Sequence, residues 1–68
     1  MTTNEELKRA LTAYAPEWDG DATSLAHTVL YRAGLADPPV DIVLLKRTIL
    51  LAQSALILAA LRQAGLAR

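Results

Sequence analysis

His27 is the only histidine of the chain, and the one side chain whose ordinary pKa lies near neutrality. Its functional reading is a general base or a pH switch; its structural reading is a boundary residue beside the apolar stripe of a helix. Ser24, three residues earlier, reads as a first-turn or cap residue rather than a nucleophile. Glu17, Asp19 and Asp21 crowd around Gly20 and could offer carboxylates to a divalent cation. The turn lacks the twelve-residue loop and the terminal bidentate glutamate of a calcium hand, so a solvated turn with a capping aspartate is the simpler expectation. There is no cysteine, which removes disulfides and thiolate metal ligands. The three glycines are isolated, so no glycine-rich phosphate loop exists. No catalytic, cofactor-binding or metal-ligating set emerges, and we expect a protein that is not an enzyme and carries no cofactor.

Trp18 has two readings. Its ring could close over helices 1 and 2 as a lid, which we prefer, or stand exposed as an anchor for a partner, since tryptophan is enriched at binding hot spots. The basic residues Lys8, Arg9, Arg32, Lys46, Arg47, Arg62 and Arg68 are scattered, whereas nucleic-acid readers gather them on one face. The seven basic and seven acidic residues cancel, which gives no general pull toward nucleic acid or anionic lipid. The string Leu58-Ala59-Ala60-Leu61-Arg62-Gln63-Ala64-Gly65-Leu66 resembles the end of the recognition helix in winged-helix repressors. That resemblance would imply DNA binding. The string is also what any capped amphipathic helix looks like, no β-wing follows it, and no short turn precedes the helix. A small DNA-binding or transcription-regulating protein is therefore kept as the alternative class.

The elements that carry these residues are all helical. Leucine and alanine dominate a composition that is 53% hydrophobic with no phenylalanine. Thr3 and Glu6 fit a capping box, and Leu7, Ala10, Leu11 and Tyr14 make one stripe. Pro16 ends this first helix, expected over about 4–15. Asp21 or Thr23 caps a second helix over about 22–33, with Ala22, Leu25, Ala26, Val29, Leu30 and Ala33 inward and Gly34 as its stop. Asp37 followed by Pro38 and Pro39 predicts the start of a third helix over about 38–64, roughly 27 residues or about 40 Å long.

On a wheel, helix 3 has three apolar seams. One is Ile42, Leu45, Ile49, Ala52, Leu56 and Ala60. The second is Val43, Leu50, Ile57, Leu61 and Ala64, and the third is Leu44, Leu51 and Leu58. Lys46 with Gln53 and Arg47 with Ser54 form polar strips between them. A further strip holds Asp41 and Thr48 and continues in Ala55 and Ala59. A surface helix should have one apolar stripe and a broad polar face. Two helices of about a dozen residues cannot cover all three seams.

We therefore expect an all-α domain, two short amphipathic helices on one long apolar C-terminal helix, acting as a protein–protein interaction or self-assembly module: a scaffold, adaptor or regulatory subunit. The expected interface is Leu44, Leu50, Leu51, Ile57, Leu58 and Leu61. Lys46 and Arg47 would set register, for instance against Asp41 of a neighbouring chain. The expected partner is a second copy, giving a homodimer or higher oligomer, or another helical protein. Lys46-Arg47-Thr48 and Gln53-Ser54 interrupt the apolar run, which argues against a membrane span. The polar first six residues predict a cytoplasmic location. Arginine over lysine, with much alanine, hints at a bacterial or phage source.

Overall fold

In the computed structural model, which describes residues 4–36 and 41–66, every regular element is helical. The order is α1 (Asn4–Tyr14), a 3-10 turn (Ala15–Glu17), α2 (Ala22–Arg32) and α3 (Ile42–Gln63). Each boundary follows from local chemistry. Pro16 cannot donate the bond that would continue α1, and the chain tightens into the 3-10 turn, from which Trp18 N–H donates to Ala15 O at 3.1 Å. α2 starts where the Asp21 carboxylate accepts from Ser24 N–H at 2.7 Å. It stops in a Schellman motif: Leu35 N–H reaches Leu30 O at 2.9 Å, and Gly34 takes φ +75°. α3 closes the same way through Gly65, with Leu66 N–H on Leu61 O at 2.8 Å. A side chain at either glycine would force an L-residue into the left-handed region.

Two sequence expectations need adjustment. Thr3 and Asp37 lie outside the described residues, so the roles read for them have no structural counterpart. The cap of α3 is Asp41, whose carboxylate accepts from Val43 N–H at 2.9 Å and Leu44 N–H at 3.2 Å. Its backbone is extended, and the helix runs over 22 residues, about 33 Å, instead of the longer span read from the prolines. Asp41 is therefore a terminus rather than part of a polar strip along the barrel of the helix.

The core is built from both short helices against one face of α3. Leu7 and Leu11 from α1, Leu25, Ala26, Val29 and Leu30 from α2, and Ala15 between them are buried around Ala52. Both short helices pack on α3 more extensively than on each other. Gln63 Nε2 donates to Pro16 O at 2.9 Å, and Arg47 donates to Asn4 Oδ1 at 3.2 Å. These two ties, one at each end, make α1 run in the same direction as α3. Arg32 lies over the Tyr14 ring, 4.9 Å from its centroid, and donates to the Tyr14 hydroxyl, bracing α2 against α1.

The face of α3 that turns inward is not the one with the most leucine. It is centred on Thr48, which is fully buried, and Ala52, with Ala55 and Ala59 beside them. The Thr48 hydroxyl donates to Leu44 O at 2.7 Å, one turn back, so its one polar atom is satisfied without a partner on another helix. What remains facing α1 and α2 is a methyl group. The strip read from the sequence as polar, Thr48 with Ala55 and Ala59, is thus the centre of the packed face. Small side chains there let the leucines of both short helices approach the α3 backbone.

Candidate functional site

Turning Thr48 and Ala52 inward turns the second apolar seam outward. Val43, Leu50 and Ile57, seven residues apart, are 67%, 64% and 63% exposed. Leu61 continues the row and, with Leu58, is a little over one-third exposed. Ile42 also stands exposed at the first turn. Leu44 and Leu51, two of the expected interface leucines, are half-buried and pack against the core. The outward row is therefore Leu50, Ile57 and Leu61 from the expected set, together with Val43, which that set omitted. The signal for Val43 was its spacing, one heptad before Leu50.

A second apolar strip adjoins this row. Leu51, Ala55 and Leu58 of α3 and Leu11, Lys8 and Thr12 of α1 line a groove of about 190 Å³. It extends past Pro16 and Ala59 toward Arg62. Leu58 thus joins the outer row of α3 to the α1–α3 groove. On the other flank of α1, Glu6, Ala10, Tyr14, Val29 and Arg32 line an open cleft of about 390 Å³ with α2.

The basic residues next to the row differ in their freedom. Arg47 is drawn aside to Asn4 of its own chain. Asp41, the acid considered as a partner for Lys46 and Arg47, already receives two backbone N–H groups at the start of α3. Lys46 is exposed beside the row. Between Ile42 and Gln63 there is no acidic residue at all.

His27 and Ser24 are exposed on α2. Among the described residues no group of three histidines or carboxylates is arranged to hold a metal ion. Trp18 is half-buried against the core, and its Nε1 donates to Asp21 O at 3.1 Å. A Cβ added at Gly20 would lie 2.9 Å from that nitrogen. Gly20→Ala should therefore displace the indole and shift the tryptophan emission to longer wavelength, with the helical circular dichroism kept. An unchanged emission maximum would mean that the ring does not lie over Gly20.

The Asp21 carboxyl is held below the usual carboxylate range, first by the Ser24 backbone N–H and then by the Ser24 hydroxyl. A group whose pKa is lowered on folding stabilises the fold above its unfolded pKa, and that contribution disappears as pH falls through the folded value. Asp21→Ala should melt at a lower temperature than the parent at pH 7. The gap should close once the pH drops below the carboxylate range. Thermal melts at both pH values check this, and a gap independent of pH would refute it.

α3 is long and apolar enough to cross a bilayer by length and composition alone, and little of its apolar stretch is buried within the domain. No protein-family model matches the chain, and comparison with curated proteins and with solved structures likewise yields no match.

Proposed function

We propose that this protein is a self-assembling helical interaction module whose contact surface is the outer row of α3. One observation carries the reading: Val43, Leu50 and Ile57 each keep well over half of their surface in water, on one line of one helix. Contiguous apolar patches on small soluble proteins commonly mark interaction sites. Removing such a row from water is favourable by about 25 cal/mol per Å² of apolar area.

Assembly fits the fold better than a bilayer does. The inner face of α3 is covered by α1 and α2, whose outer surfaces carry Glu5, Lys8, Arg9 and Arg32. A spanning α3 would have to shed both helices and expose Leu7, Leu11, Leu25 and Leu30. Nor is α3 a typical surface-lying membrane helix, which has a broad charged face and modest overall hydrophobicity. Assembly also fits better than DNA binding, because Arg32 is engaged with Tyr14 and Arg47 with Asn4 within the chain.

The test is the mass in solution. Light scattering at micromolar concentration should give at least about twice the 7.3 kDa of one chain, falling on dilution. A mass of one chain throughout would end the proposal.

A further inference from the structure

We draw no further inference here: the strongest candidate, the exposed row of Val43, Leu50 and Ile57 on α3 with the adjoining groove between α1 and α3, belongs to the surface already described, and nothing in the structure shows what covers it.

Discussion

Leu25→Ala should lower the melting midpoint by roughly 15 °C. Leu25, on α2, is fully buried in the core cluster of a domain of 68 residues. Leucine-to-alanine changes at such sites cost about 2–5 kcal/mol, because the contacts are lost and the cavity closes only in part. A domain of this length has a total stability on the order of 3–10 kcal/mol. One kcal/mol moves the midpoint of so small a domain by about 4–8 °C. The other members of that cluster, Leu11 and Ala52 among them, are fully buried on helices of their own, which limits how far the core can relax into the space. Arg9→Ala, at an exposed position of α1, is the control and should fall within about 0.5 kcal/mol of the parent. Circular dichroism melts of the two variants decide the matter. Equal midpoints would mean that the leucines of α2 do not form the core.

The second large effect concerns assembly. Leu50→Lys should leave the helical content unchanged and convert the assembled species to single chains at micromolar concentration. Leu50 is 64% exposed in the single chain, so a lysine there stays solvated while the domain is monomeric. In the assembly it would add charge to a helix already carrying Lys46 and Arg47 and no acid. Burying an unpaired charge at an interface costs several kcal/mol, and about 3 kcal/mol would raise the dissociation constant more than a hundredfold. Leu50→Met, which keeps volume and polarity, should assemble like the parent. A lysine variant that keeps the parent's mass would place the contact surface off this row. Leu51→Glu would be a poorer test, because Leu51 packs against the core and a charge there would also disturb folding.

The two effects separate the two halves of α3. One half is held by α1 and α2 and is sensitive to volume. The other is open to water, and a charge there should act on assembly alone. An assembled state draws them together, because stabilising the outer row also raises the apparent stability of the domain behind it. Melting temperatures of the parent should therefore depend on protein concentration more steeply than those of Leu50→Lys.

The elements themselves could be read from residue order. Each is set by neighbours a turn away: Pro16 ends α1, the Asp21 carboxylate caps α2, and Gly34 and Gly65 supply the left-handed residue at two helix ends. The apolar excess of α3 was also visible on the wheel, since it is a property of composition and period. The start of α3 was harder to read, because Asp37 before two prolines and Asp41 four residues later both offer a capping carboxylate, and the bonds observed belong to Asp41. Which face of α3 turns inward depended on tertiary contact. A wheel weighs each face by its hydrocarbon, and by that measure the leucine seams compete equally. Packing two helices on a third depends instead on how closely their backbones approach, and the strip of Thr48, Ala52, Ala55 and Ala59 allows the closest approach. Thr48 passes as apolar because its hydroxyl is satisfied within its own helix. The leucines of α1 and α2 fill that strip, and geometry leaves Val43, Leu50 and Ile57 on the far side, in water.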